Sequence, residues 1–225
     1  MSEIKNVKAC VFDAYGTLFD IHAPTAAIAN ELGDKAQSLS DMWRGKQLQY
    51  TWLRSLMGKY TDFWQVTGDG LDYALAAHDI DNADIRNRLM DLYMTLDAYP
   101  DAMSTLQQLK DANLATGILS NGSPKMLAAA VEASGLKPHL DQVLSVQEVG
   151  IFKPAPQVYQ MAVDRFGLER NEICFVSANA WDASGAADFG FQVAHLNRFN
   201  QPPEGLPGKP KAIMKSLSEL PPVVR

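Results

Sequence analysis

Short apolar runs rich in β-branched residues alternate with helical patterns along most of the chain, and that alternation predicts the fold class. Five runs read as strands: 8–12, 115–119, 142–146, 172–176 and 191–196. Several of them lack the period-two alternation of a strand with one wet face, so they read as strands of a parallel sheet covered on both sides. Helices are predicted between them. Ser123 and Pro124 open a helix over 125–134 that Gly135 stops, one over 154–166 ends at Gly167, and one over 182–189 ends at Gly190. Repeated strand–helix alternation predicts an α/β fold, a doubly wound parallel sheet of Rossmann-like type.

One stretch breaks the rhythm. Roughly a hundred residues separate the first two strands, and those from 20 to 97 read as helical. Leu48, Trp52, Leu56 and Tyr60 recur every four residues as one apolar stripe, and 82–96 carries Ile85, Leu89, Leu92 and Leu96 at similar spacing. A crossover needs only a dozen or so residues, so the excess reads as an inserted helical cap. The expected organisation is an α/β core of residues 1–19 and 98–225 with a cap of residues 20–97. The Pro- and Gly-rich tail from 201 onward reads as turns on the surface.

Composition narrows the function classes. Of 225 residues, 47% are hydrophobic and 20% charged, the profile of an ordinary globular protein. The formal charge of −6 and the lack of a basic cluster argue against nucleic acid or an anionic membrane as partner. No apolar run reaches membrane-spanning length, and the start of the chain carries no secretory signal pattern, so a cytoplasmic protein is expected. Cys10 and Cys174 lie far apart inside apolar runs and read as buried, reduced fillers. His22, His78, His139 and His195 form no metal-ligand spacing.

Chemistry concentrates at the strand ends. The first apolar run closes on Asp13, followed by Ala14, Tyr15, Gly16, Thr17 and Leu18, where the glycine permits a sharp turn. Ligands of doubly wound sheets gather beyond the carboxyl ends of the strands, which is where Asp13 should project. The second run ends at Ser120 and Asn121, the fourth at Ser177, Asn179 and Asp182, and Lys153 precedes Pro154 after the third. Each of these has an ordinary reading as a turn, cap or surface residue. A carboxylate, a lysine, hydroxyls and a second carboxylate converging on one rim do not.

The Asp-x-Tyr-Gly-Thr-Leu start, Ser120-Asn121, Lys153-Pro154 and Ser177-x-Asn179-x-x-Asp182 resemble the four motifs of the haloacid dehalogenase superfamily. The resemblance covers nearly the whole chain and is closest to the L-2-haloacid dehalogenases, or type II enzymes. The cap segment 43–57, with Trp43, Arg44, Gln47, Leu48 and Trp52, is similar to theirs. Gly45 departs from it, standing where a larger polar residue often follows the arginine. The resemblance implies hydrolysis of short-chain (S)-2-haloalkanoic acids to (R)-2-hydroxyalkanoic acids and halide. It also implies a homodimer.

Residue chemistry separates this reading from a superfamily phosphatase, the alternative weighed beside it. Such phosphatases resemble Asp-x-Asp at the first motif, where the second aspartate protonates an alkoxide, whereas here the position is Tyr15. Halide leaves without a proton, so a dehalogenase can omit that acid. With Asp13 and Asp182 the only acidic candidates and Lys153 competing, no metal site and no cofactor are expected. Asp13 would form an aspartyl ester by attack on carbon, Lys153 keeping it ionised. Ser120 and Asn121, with backbone N–H groups near them, would hold the substrate carboxylate at a helix N-terminus, and Arg44 the departing halide. Thr17 and Tyr159 would orient neighbours, Ser177 would hold Asp13 or Lys153, and Asn179 and Asp182 would position water. Ala14 counts among the substrate contacts. Tyr15, Leu48, Phe63 and Trp181 would wall an apolar pocket, with core packing as the other reading for these four. A catalytically silent scaffold is the remaining alternative.

Overall fold

Six parallel strands form one sheet in the computed structural model, which describes residues 4–224. In chain order they are β1 (Ala9–Phe12), β2 (Ala115–Ser120), β3 (Gln142–Ser145), β4 (Ile173–Ser177), β5 (Gln192–Leu196) and β6 (Ala212–Met214). Their order across the sheet is β3-β2-β1-β4-β5-β6. The chain winds outward from β1 in one direction through β2 and β3, and from β4 in the other through β5 and β6. The reversal between β1 and β4 is a topological switch point, where an open α/β sheet leaves a crevice at the strand carboxyl ends. Every residue of β1, β4 and β5 is buried, the reason these runs carry no alternating pattern.

Nine α-helices accompany the sheet among the described residues. Six of them fall between β1 and β2: α1 (Ala23–Ala27), α2 (Ala29–Leu32), α3 (Ala36–Leu56), α4 (Phe63–Ala77), α5 (Ala83–Met94) and α6 (Ala102–Asp111). The remaining three are α7 (Pro124–Ala133), α8 (Pro156–Phe166) and α9 (Ala180–Phe189). Asp62, Asn82 and Ser123 cap α4, α5 and α7 through their side chains, each accepting first-turn N–H groups that have no partner inside the helix. The chain leaves β1 and returns toward α6 past itself. Tyr99 N donates to the Leu18 carbonyl at 2.8 Å, and Asp20 N to that of Asp97 at 3.0 Å.

Two sequence expectations are corrected here. The tail is not wholly a surface coil: residues 201–206 are exposed, but β6 extends the sheet beside β5, and Leu217 and Leu220 are fully buried. A three-residue strand is too short to show a period. The stripe Leu48–Trp52–Leu56–Tyr60 is not the packing face of α3. The helix ends at Leu56, which is 84% exposed, and Tyr60 lies beyond it. Its buried face is Leu39, Trp43, Gln47 and Thr51, one position earlier. Trp43 Nε1 donates to the Thr67 carbonyl at 2.8 Å, and Gln47 Nε2 to Thr67 Oγ1 at 2.7 Å and Tyr93 Oη at 3.1 Å. Polar residues serve that face because they bond across α3, α4 and α5, which a purely apolar count overlooks.

Gly45 is exposed in the middle of α3, with open space where a Cβ would stand. Glycine costs about 0.5–1 kcal/mol against alanine in a helix interior. Gly45→Ala is therefore expected to raise the unfolding free energy by that increment, read as a higher urea midpoint with an unaltered slope. An unchanged or lowered midpoint would show that this position serves something other than the helix.

Candidate active site

Asp13 follows β1 directly, at the crevice between β1 and β4, and its backbone N–H donates to the Val176 carbonyl at 2.9 Å. The chain then turns at Gly16, whose φ of +92° a side chain would strain, and Thr17 folds back onto the carboxylate. Thr17 Oγ1 donates to Asp13 Oδ2 at 3.0 Å and accepts from Ala178 N at 2.8 Å. Asn179 Nδ2 donates to the same Oδ2 at 2.8 Å. On the other oxygen, Lys153 Nζ donates to Oδ1 at 3.1 Å. One oxygen thus carries two neutral donors and the other a single ammonium.

Lys153 is 1% exposed and bridges two carboxylates, reaching Asp182 Oδ2 at 2.8 Å. Burial by itself would lower its pKa, but the charges of Asp13 and Asp182 outweigh that and hold it above the ordinary lysine value. Asp182 is completely buried, and its second oxygen accepts from Tyr159 Oη at 2.8 Å. Burial pushes its carboxyl up, Lys153 pulls it down, and the Asp13 charge adds to the rise. Burial likewise pushes the Tyr159 phenol well up, with the charge of Asp182 adding to it, so Tyr159 stays a donor. A Cβ at position 185 would stand 2.8 Å from Tyr159 Oη and 2.7 Å from Pro154 Cβ. Glycine there lets α9 press against α8 and brings Asp182 to Lys153.

Arg44 descends from α3 toward the strand ends. Its Nη2 donates to Asn179 Oδ1 at 3.0 Å and to the Tyr15 carbonyl at 3.4 Å, while Nη1 donates to Gln47 Oε1 at 2.6 Å. Gln47 belongs to the cap motif but had no role assigned from sequence. The structure makes it the group that orients the guanidinium, anchored in turn on Thr67 and Tyr93. His195, near the end of β5, lies beside the backbone of Ala178, and burial lowers its pKa below the usual histidine value, outweighing the rise that the Ala178 backbone contributes. It supports the turn that carries Asn179. No spacing signalled it, because that contact joins β5 to the β4–α9 turn only in the fold.

The other candidates fall into two groups. Tyr15 and Phe63 pack together beside the turn that follows Asp13, and Trp181 lines the cavity that holds Arg44. Tyr15 stacks on Tyr93 at a centroid distance of 5.7 Å, packs against Phe63 at 5.7 Å, and leaves its Oη buried without a hydrogen-bond partner. Leu48 and Trp181 line a cavity of about 370 Å³ together with Arg44 and Asn179, and this cavity opens past His22 and Phe199. His22 faces Ser40, with Nδ1 and Oγ 2.8 Å apart. Ser120 and Asn121 do not line this cavity and spend side-chain atoms locally. Ser120 Oγ accepts from Gly122 N at 3.0 Å, and Asn121 Oδ1 from Lys153 N at 3.0 Å. Ser177 differs from expectation. It bonds neither Asp13 nor Lys153 but accepts from Asn179 N at 3.1 Å, bracing the turn instead. A Ser-x-Asn turn closes on itself this way because a short hydroxyl reaches the N–H two residues on. Among the described residues, no group of three His, Cys, Asp or Glu side chains is placed to hold a metal ion.

Residues 7–190 match the haloacid dehalogenase-like hydrolase family. The chain is 49% identical over 216 residues to (S)-2-haloacid dehalogenase 1 of Pseudomonas sp. strain CBS-3, a match covering 96% of this chain and 95% of that protein. A solved dehalogenase structure with an intermediate complex superposes with a TM-score of 0.96 at 47% identity, covering 98% of both chains. L-2-haloacid dehalogenase from Xanthobacter autotrophicus, solved with chloropropionic acid covalently bound, gives a TM-score of 0.89 at 35% identity over 96% of this chain and 97% of that one. The chain belongs to the haloacid dehalogenase-like hydrolases, and the Pseudomonas and Xanthobacter relatives are 2-haloacid dehalogenases.

Proposed function

We propose that the protein hydrolyses short-chain (S)-2-haloalkanoic acids to (R)-2-hydroxyalkanoic acids and halide, through an ester on Asp13. The observation that carries this reading is the unequal solvation of the two Asp13 oxygens. Oδ1, with only Lys153 as donor, keeps a lone pair to attack the halogen-bearing carbon from behind, and the carbon–halogen electron pair leaves with the halide. Water then attacks Cγ of the ester. Negative charge develops on Oδ2, where Thr17 and Asn179 already aim two donors. Cleavage of Cγ–Oδ1 releases the hydroxy acid, its oxygen taken from Asp13 and its hydroxyl proton from the attacking water; the second water proton passes to solvent, and the water oxygen remains in the new carboxylate.

Approach of a carboxylate substrate to a carboxylate nucleophile must be offset, since like charges at 4 Å repel by about 4 kcal/mol at the effective dielectric of a protein surface. Lys153 supplies that offset at Asp13, and Arg44 supplies the cation for the departing halide. Ser120 and Asn121 hold the substrate carboxylate with Ala14 a further substrate contact, while Tyr15, Leu48, Phe63 and Trp181 wall its alkyl group. Asn179 and Asp182 position the water. The absence of an acid at position 15 suits a leaving group that needs no proton, which disfavours the phosphatase alternative. In this reading residues 1–19 and 98–225 are the core and 20–97 the cap. The protein is cytoplasmic and homodimeric, with exposed Leu53 and Tyr73 on α3 and α4 supplying apolar surface.

Chloride release from (S)-2-chloropropionate, followed in excess EDTA, is the direct test. Turnover is expected to match that in added Mg²⁺. A strict Mg²⁺ requirement, or phosphate-ester hydrolysis far faster than halide release, would replace this reading with the phosphatase.

A further inference from the structure

On the far side of Trp181 from the cavity that holds Arg44 lies a second one, of about 520 Å³, at the junction of α3 with the loop after β3. Its walls include Trp52, Leu56, Ile151, Ala155 and Leu206. The two polar side chains in its lining are already engaged. Ser55 Oγ accepts from Phe152 N at 3.2 Å, and the Lys153 ammonium points to Asp13 and Asp182. Apart from the indole N–H groups of Trp52 and Trp181, no polar side-chain group in the wall is left to pair with a ligand.

The apolar stripe of α3 runs from the first cavity to this one. Leu48 lines the first cavity, Trp52 and Leu56 the second, and Trp181 both. These are the residues whose spacing is spare in the packing of α3, since its buried face is Leu39, Trp43, Gln47 and Thr51. Between the two spaces stand Trp52 and Trp181, edge to face at 5.4 Å, and neither indole N–H has a hydrogen-bond partner among the described residues. No hydrogen bond from these rings holds that wall, so it can re-pack around an inserted chain without breaking one. The volume lies within the range of small-molecule sites.

We propose that this groove is a subsite for the alkyl tail of 2-haloalkanoic acids of medium chain length, entered past the Trp52–Trp181 pair and open to solvent at Leu56. The inference rests on the dehalogenase reading and extends its substrate class. Each methylene moved from water into an apolar wall favours binding by about fourfold.

The test is halide release by the full chain from (S)-2-bromopropionate, (S)-2-bromobutanoate and (S)-2-bromohexanoate. For the unmodified protein, kcat/KM on the hexanoate is expected to exceed that on the propionate by at least about tenfold, below the product of three fourfold steps. Leu56→Asp and, separately, Leu206→Asp are expected to erase that gain while holding the propionate rate within about twofold, since both side chains lie at the solvent mouth. A hexanoate rate below the propionate rate in the unmodified protein overturns the subsite. So does an equal fall on all three substrates in both variants, or a Leu56→Asp protein that changes oligomeric mass with an unaltered chain-length profile, which would make the groove a contact between copies. Failure to release bromide from propionate as well as hexanoate would instead remove the dehalogenase reading, and this inference with it.

Discussion

Asp13→Asn is expected to lower halide release from (S)-2-chloropropionate by at least about 10⁴-fold, because the amide has no anionic oxygen to displace halide. The fold should survive. Asn is isosteric and Lys153 keeps Asp182 as a partner, but Thr17, Asn179 and Lys153 all approach this side chain as donors, so the new NH2 group faces a donor and lowers stability without removing packing. The nucleophile can also be identified without mutation. In one turnover in ¹⁸O-labelled water with enzyme in excess, label is expected in the Asp13 carboxylate and not in the hydroxy acid. Label entering the product first would mean that water attacks the substrate carbon directly, with Asp13 as a general base, and the ester mechanism would be wrong.

Lys153→Met carries the second large effect. The variant strands Asp13 and Asp182, both nearly or wholly buried, without the ammonium that lies 3.1 and 2.8 Å from them. Breaking a buried ion pair by removing one partner costs about 3–5 kcal/mol, readable as a lowered urea midpoint, and activity is expected to fall by at least about 10²-fold. Adding Asp182→Asn should restore part of the stability but not the rate, a coupling that a double-mutant cycle measures. A single variant as stable as the unmodified protein would show that the bridge is electrostatically idle. The pH dependence follows from the signs. Lys153 titrates above its unfolded value of 10.5 in the folded protein. Its stabilisation is therefore complete below that pH and is lost as pH rises through the raised value. Asp182 runs the other way: its raised carboxyl favours the fold below 3.8 and becomes a cost as it ionises. The stability gap between unmodified protein and Lys153→Met should stay level from neutral pH to about 10.5 and narrow beyond it.

Much of the site was legible before the fold because its residues sit at strand ends, where the apolar run stops and a carboxylate or hydroxyl follows. Asp13, Ser120, Ser177, Asn179 and Asp182 all announce themselves in that way. Residues whose role is to hold others did not. Gln47 orients Arg44 from a buried helix face, His195 braces a turn carried by another strand, and Arg198 grips Asp101 through two bonds of 2.8 Å near the crossing of the two connections. Each joins segments at least one element apart, and no local spacing encodes such a contact.

Local pattern determined the parallel sheet, the helical insertion and the four rim motifs, because burial on two faces and strand-end turns leave their mark within a few consecutive residues. Tertiary structure alone decided which face of α3 packs inward, that the tail closes the sheet with β6, that Ser177 braces a turn rather than the nucleophile, and that one buried ammonium serves two carboxylates. The two Lys153 contacts join residues 29 and 140 positions apart in sequence, and the inward face of α3 is set by partners 20 and 46 positions away; such meetings are set by packing of the whole chain.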